Sequence, residues 1–137
     1  MKRILSFFVL SLLLTISLTA CRGEALPRGM EEEALLAAGR EVMLDVVSGK
    51  YEAVYAALRE DVRESTTVED IRALALSATD GAGVYKQIES SMTTGQTVGG
   101  TQIGIAVFFC EFSEDDVLVR VSFDSQMTLV GLSLQQQ

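Results

Sequence analysis

The sequence predicts an α+β fold, with about three N-terminal helices packed on a curved antiparallel sheet of about four strands. Apolar residues recur every three or four positions over residues 31–79 and every second position from residue 84 onward. The glycine-rich sequence DGAG at residues 80–83 separates the two patterns. The 137 residues suffice for one domain of ordinary size with a short appendage.

The first 20 residues have the layout of a secretory signal. Lys2 and Arg3 supply positive charge, and the uncharged run over residues 4–18 is shorter than the roughly 20 residues of a permanent membrane helix. The sequence LTAC at residues 18–21 resembles the lipobox of bacterial lipoproteins, in which the cysteine receives a diacylglyceryl group and the leader is removed. By this resemblance residues 1–20 are removed, and Cys21 is lipidated with acyl chains such as palmitate. The alternatives are an uncleaved anchor helix and an ordinary signal cut elsewhere.

The predicted lipid places the protein on the extracytoplasmic side of the cell membrane. Each buried CH₂ contributes about 0.8 kcal/mol, so two or more acyl chains hold a protein stably at a bilayer where one chain does not. Without Lys2 and Arg3, 9 basic and 19 acidic side chains remain, which gives a net charge of about −10. Because phosphate repels such an acidic body, we expect no nucleic-acid partner, and membrane attachment depends on the lipid.

After Cys21, residues 22–30 are predicted to form a tether, and residues 31–137 one domain. The tether contains the only proline and shows no apolar period. In the domain, the first helix is predicted to begin at Glu31 and to end at Gly49, since negative charge suits a helix start and glycine suits its end. The third is predicted to begin at a capping box of Thr66 and Glu69. Between them lies one predicted helix with the apolar stripe Tyr51, Val54, Tyr55, Leu58 and Val62.

Four strands are predicted at residues 84–93, 102–112, 117–124 and 127–134. Short loops join the last three, and the loop lengths predict that Phe112 pairs with Val117 and Asp124 with Met127. Cys110 lies in the middle of the predicted core face, as a buried small hydrophobe rather than a reactive thiol. The core face consists of Ala106, Phe108, Cys110, Phe112, Val117, Val119, Val121, Phe123, Val130, Leu132 and Leu134.

The opposite face of the sheet is a candidate interaction face, because it is more apolar than a solvated sheet face should be. A helix that curls around, the curvature of the sheet itself or a second protein chain would cover part of it. The second chain is either another protein or a second copy of this one. The face is predicted to carry Ile103, Ile105, Val107, Phe109, Leu118, Met127 and Leu129.

Four stretches carry a resemblance to a known fold group. They are GKYEAVYAAL at residues 49–58, TVEDIRAL at 67–74, GVYKQIES at 83–90 and VSFDSQMTLVGLSL at 121–134. The chain resembles the cone-shaped, cystatin-like folds of the nuclear transport factor two-like and SnoaL-like group. More narrowly, it resembles a small domain family of unassigned function found in bacterial lipoproteins and ahead of some α/β-hydrolases. The resemblance implies an α+β cone that can enclose a pocket.

The residues predict no catalytic site, metal site or cofactor. The chain has no histidine, which removes histidine bases and most zinc sites, and no glycine-rich loop has phosphate-binding spacing. The leading hypothesis is a non-catalytic binding or protein-interaction domain. The alternative is a small-ligand carrier or acid-base enzyme, which requires a cavity of roughly a few hundred Å³ with polar groups. The possible lining residues of that pocket are Tyr51, Tyr55, Tyr85 and Arg120.

Overall fold

The computed structural model describes residues 24–137, so the predicted leader and lipid site at Cys21 lie outside the described residues. Within this range, four helices pack on one antiparallel sheet with the strand order β1-β2-β3-β4, which confirms the predicted α+β class. The helices are α1 (Glu32–Val47), α2 (Tyr51–Ala57), α3 (Glu60–Glu64) and α4 (Val68–Thr79). The strands are β1 (Tyr85–Val98), β2 (Thr101–Phe112), β3 (Val117–Asp124) and β4 (Leu129–Gln136).

Helix α1 lies across the sheet and supplies much of the core. Two glutamates occupy its first turn, and Gly49, with a φ of 75°, follows its end as predicted. Its buried side chains meet the face of the sheet formed by the even-numbered residues of β2. No helix over residues 24–137 is both long enough and apolar enough to cross a membrane.

The predicted second helix is two helices, because the chain breaks at Leu58. Leu58 has an extended backbone and forms a bridge with Leu129, and the N–H of Arg59 donates to the carbonyl oxygen of Leu129 over 2.8 Å. Helix α3 starts again at Glu60. Apolar residues continue at helical spacing across the break. Because Leu58 is buried against the sheet and pairs with β4, its backbone is extended rather than helical.

The capping box of α4 lies one residue later than predicted. The N–H of Asp70 donates to Oγ1 of Thr67 over 3.1 Å, and the N–H of Thr67 donates to the carboxylate of Asp70 over 2.9 Å. Thr66 and Glu69 have the same spacing and the same residue classes. Spacing alone therefore does not distinguish the two boxes.

Strand β1 is longer than predicted, because Gly95 continues the strand instead of interrupting it. A Cβ at Gly95 would collide with the carbonyl oxygen of Ala25, which explains the glycine. The hairpin then turns at Gly99 and Gly100, which have φ values of 57° and 82°. Positive φ at both positions is typical of a two-residue hairpin turn.

The register of the sheet is shifted by two residues from the predicted one. Cys110 pairs with Val117, and Val119 pairs with Leu134. A shift of two keeps each side chain on its predicted face, so the predicted core of β2 and β3 is buried. The hairpins are wider than predicted because the residues next to each turn do not pair across it.

Two residues assigned to the second sheet face, Leu129 and Met127, pack on the core instead. The pairing changes from Ser122 with Gly131 to Phe123 with Leu129, which leaves Val130 as a bulge. One extra residue reverses the direction of every side chain beyond it, so Leu129 joins the core face. Met127 lies in the turn with a φ of 62°.

The segment predicted as a tether is docked on the domain from Glu24 onward. The N–H of Gly95 donates to the carbonyl oxygen of Glu24 over 2.9 Å, and Oγ1 of Thr97 donates to the Glu24 carboxylate over 2.9 Å. Leu26 and Met30 pack against the core. The ordered domain therefore includes residues 24–30 as well as the predicted range.

Candidate binding site

An apolar cleft of about 260 Å³ lies between the three helices α2 to α4 and strand β4. The two irregularities of the fold both contribute to it, since Leu58 at the helix break and Val130 at the bulge line the cleft. Sequence reasoning missed the cleft because neither irregularity was predicted. The lining residues are Val54, Leu58, Val62, Thr66, Asp70, Ile71, Leu74, Val130, Gly131 and Leu132.

Two polar side chains, those of Thr66 and Asp70, stand among the apolar ones of the cleft. The Asp70 carboxylate accepts the hydrogen bond from the Thr67 N–H, so it is part of the cap of α4. Val54, Leu58 and Ile71 form a buried apolar base. The cleft therefore offers an apolar surface with a polar rim, and its carboxylate already has a structural partner.

The size of the cleft limits what it can hold. Sites for drug-sized ligands typically measure about 300–1,000 Å³. The cleft, at about 260 Å³ and partly open to solvent, is slightly smaller. It fits one small apolar ligand or one apolar side chain of a partner.

The four tyrosine and arginine residues predicted to share a pocket are not brought together. The guanidinium of Arg72 lies 5.2 Å from the ring centroid of Tyr51, and the hydroxyl of Tyr55 donates to the carbonyl oxygen of Arg63 over 3.3 Å. Tyr85 packs edge-on against Phe112, with ring centroids 5.7 Å apart.

Tyr85 and Arg120 also lie apart from the cleft. Tyr85 borders a shallow, largely polar depression with Arg40, and burial raises the pKa of its hydroxyl. Arg120 is exposed on the second sheet face, where it pairs with Val107. Tyr51, Tyr55, Tyr85 and Arg120 therefore each have their own local contacts and do not line a common pocket.

The second sheet face carries five of the seven residues predicted for it, since Leu129 lies in the core and Met127 packs against the core. Ile105 and Val107 are buried, yet they do not belong to the cluster that joins the helices to the sheet. The exposed fraction of Phe109 is 37%. Met92 pairs with Val107 on the same face, is 47% exposed and was not among the predicted residues. Apolar surface is thus exposed at the edge of the face and less so at its centre.

An ionic network that sequence reasoning missed joins α3 to the β3–β4 turn. The buried carboxylate of Asp124 accepts from the N–H groups of Gln126 and Thr128 at 3.0 and 2.9 Å and from Arg59 at 3.3 Å. Burial acts to raise the pKa of Asp124, but these donors lower it overall. Arg59 also pairs with the exposed Asp61. The sequence DSQ after a strand, typical of an Asx turn, was the available signal.

Cys110 is fully buried, and burial raises its pKa to about 11. A thiol with such a pKa is almost entirely protonated near neutral pH, so its role in this structure is packing. Within residues 24–137, no group of three or more histidine, cysteine, aspartate or glutamate side chains is placed to hold a metal ion.

Comparison with known proteins gives a family match and a structural match. Residues 40–132 match the model of DUF3887, described as a protein of unknown function, whose fold is of the nuclear transport factor two-like type. The structure is similar to the NMR structure of a protein from Ruminococcus gnavus ATCC 29149, with a TM-score of 0.68 and 22% identity, over 80% of this chain and 96% of that one. This likeness shows the fold. The curated proteins contain no significant match.

Proposed function

The chain belongs to the DUF3887 family of unknown function, and on that premise we propose that it is a lipid-anchored, extracytoplasmic protein whose domain binds a partner without catalysis. The apolar cleft is the observation that carries the binding role. The sequence LTAC at residues 18–21 supports the anchor at Cys21.

The proposed occupant of the cleft is an apolar side chain of another protein at the same membrane. The carboxylate in the cleft is held in a helix cap, so the lining offers apolar contact rather than a base for acid-base chemistry. Burying one large apolar side chain contributes about 1.5–3 kcal/mol, which is weak for a complete binding site. Confinement of both partners to one membrane raises their effective concentration and offsets that weakness.

Fluorescence titration with Nile red, an uncharged apolar dye, tests whether the cleft accepts apolar groups. Leu74 and Leu76 are both exposed on α4, but only Leu74 lines the cleft. The Leu74→Glu variant should bind the dye at least several-fold more weakly than the wild type, because the carboxylate has to be desolvated. The matched Leu76→Glu variant should bind as the wild type does. Equal binding by both variants contradicts the proposal.

The second sheet face is a second proposed contact, for another copy of this chain. The exposure of Phe109 and Met92 on one face favours it. Light scattering of the chain from Arg22 onward should then show a dimer that Phe109→Asp converts to a monomer. The control Leu44→Asp, at an exposed leucine of α1, should leave the dimer intact. A wild-type monomer at every concentration contradicts this contact.

A further inference from the structure

The β1–β2 hairpin extends beyond the rest of the sheet. Pairing between β2 and β3 ends at Ile103 and Asp124, whereas pairing between β1 and β2 continues to Val98 and Thr101. Residues 96–102 are therefore a two-stranded arm, and at about 3.3 Å per residue it projects roughly 10 Å. All of its side chains are exposed.

The arm carries no charged side chain of its own, and neither do the strand residues that continue from it along the sequence. No charged side chain occurs between Ser90 and Cys110, although 22% of all residues are charged. The acidic turn Glu114–Asp116 follows the other end of β2. Since β2 has 12 residues, that turn lies about 35 Å from the tip of the arm along the strand. The tip of the arm is thus uncharged, whereas the carboxylates of Glu24 and Asp124 lie near its base and the acidic turn lies at the far end of β2.

The N-terminal segment joins the domain at the base of the arm. Glu24 pairs antiparallel with Gly95, and the Glu24 carboxylate accepts a hydrogen bond from Thr97 in the arm. Cys21 precedes Glu24 by three residues, which span at most about 10 Å. A lipid on Cys21 would therefore keep the base of the arm within about that distance of the bilayer.

We propose that the arm of residues 96–102 is a membrane-contacting surface that faces the lipid headgroups. The proposal rests on the proposed lipid at Cys21. Anionic headgroups repel acidic side chains over roughly one Debye length, about 8 Å at physiological salt. The uncharged tip of the arm meets this repulsion least, and its length of about 10 Å adds to that of the sheet to hold the acidic 114–116 turn well beyond this distance. The sheet then stands on the membrane with the 114–116 turn farthest from it, and the cleft is open to a partner from the side.

The absence of tryptophan from the chain allows a single-reporter test. Val98→Trp places an indole at the tip of the arm, where Val98 is 51% exposed. Val84→Trp, at a residue 72% exposed just before the other end of β1, is the matched control. The lipidated variants, matured to begin at Cys21, are reconstituted in vesicles of phosphatidylcholine and anionic phosphatidylglycerol, with and without a nitroxide on the lipid headgroup. Thr101→Trp, across the turn from Val98, is a second probe of the arm.

The nitroxide should quench most of the emission of the Val98→Trp and Thr101→Trp variants and leave the Val84→Trp variant almost unchanged. If the mass of the protein includes the lipid, equal quenching at both ends or no quenching at the arm overturns the arm contact. The lipid anchor is then still supported. Protein that matures without a lipid on Cys21 overturns the anchor and the arm contact together.

Discussion

At the scale of single residues, Gly39 shows how closely α1 approaches the sheet. A Cβ at this position would lie 2.6 Å from the Cβ of Ala106 and 3.1 Å from the ring of Phe108. Gly39 is buried at helical spacing from Leu35 and Met43, but that spacing gives no reason for a glycine there. The reason is the distance between helix and sheet, which depends on side chains far apart in the chain.

The Gly39→Ala substitution should destabilise the domain. In an exposed helix interior the same change stabilises by about 1 kcal/mol, because alanine is the better helix former. Here the new methyl group overpacks the core, which typically costs about 1–3 kcal/mol. Urea denaturation measures the difference, and the double variant with Ala106→Gly should recover part of the loss. An increase in stability for Gly39→Ala alone contradicts the close packing.

Asp124 is the residue for which the structure predicts a dependence on pH. Its pKa is lower in the folded protein than its ordinary value of 3.8, so it stabilises the fold above that value, and the stabilisation disappears as the pH falls through the folded pKa. Asp124→Ala should cost about 1–3 kcal/mol at pH 7, because the N–H groups of Gln126 and Thr128 and the guanidinium of Arg59 lose their acceptor.

Chemical denaturation at pH 7 and at progressively more acidic pH checks the role of Asp124. The stability difference between wild type and Asp124→Ala should shrink as the pH decreases below 3.8. Asp116→Ala, at an exposed aspartate of the β2–β3 turn, is the control and should change stability by less than about 0.5 kcal/mol. A difference that is independent of pH contradicts a stabilising carboxylate at Asp124.

At the scale of elements, hydrophobic period predicted the helices, the strands and the core face of β2 and β3. It did not predict the break at Leu58, because that break arises from pairing with Leu129, about 70 residues away. It did not predict the bulge at Val130, because the bulge depends on the width of the β3–β4 turn. The cleft lies at these two irregularities. The candidate site was therefore the part of the molecule that local patterns described least well.

The start of α4 offers a direct test at this scale. Thr67→Ala removes the side chain that accepts from the N–H of Asp70, and such N-cap losses cost typically about 1 kcal/mol. Thr66→Ala, one residue earlier, should change stability by less than about 0.5 kcal/mol, since Thr66 lies outside the cap. Thermal denaturation of the two variants compares them. A larger loss for Thr66→Ala would instead support the box predicted from the sequence.

At the scale of the whole molecule, topology gives the protein two different ends, one with the β1–β2 arm and one with the 114–116 turn. The uncharged arm and the entry point of the N-terminal segment lie together, and the acidic turn lies at the opposite end of the sheet. Composition alone predicted an acidic body that depends on a lipid for membrane attachment. The proposed orientation of the domain on the membrane follows only from the pairing of Glu24 with Gly95, which the tether prediction did not include.

The intact mass of the protein extracted from its native membrane tests the lipid anchor most directly. We predict a chain that begins at Cys21 and is heavier than the bare polypeptide of residues 21–137 by a diacylglyceryl group. A mass equal to the bare polypeptide, or one that still includes residues 1–20, would contradict the account.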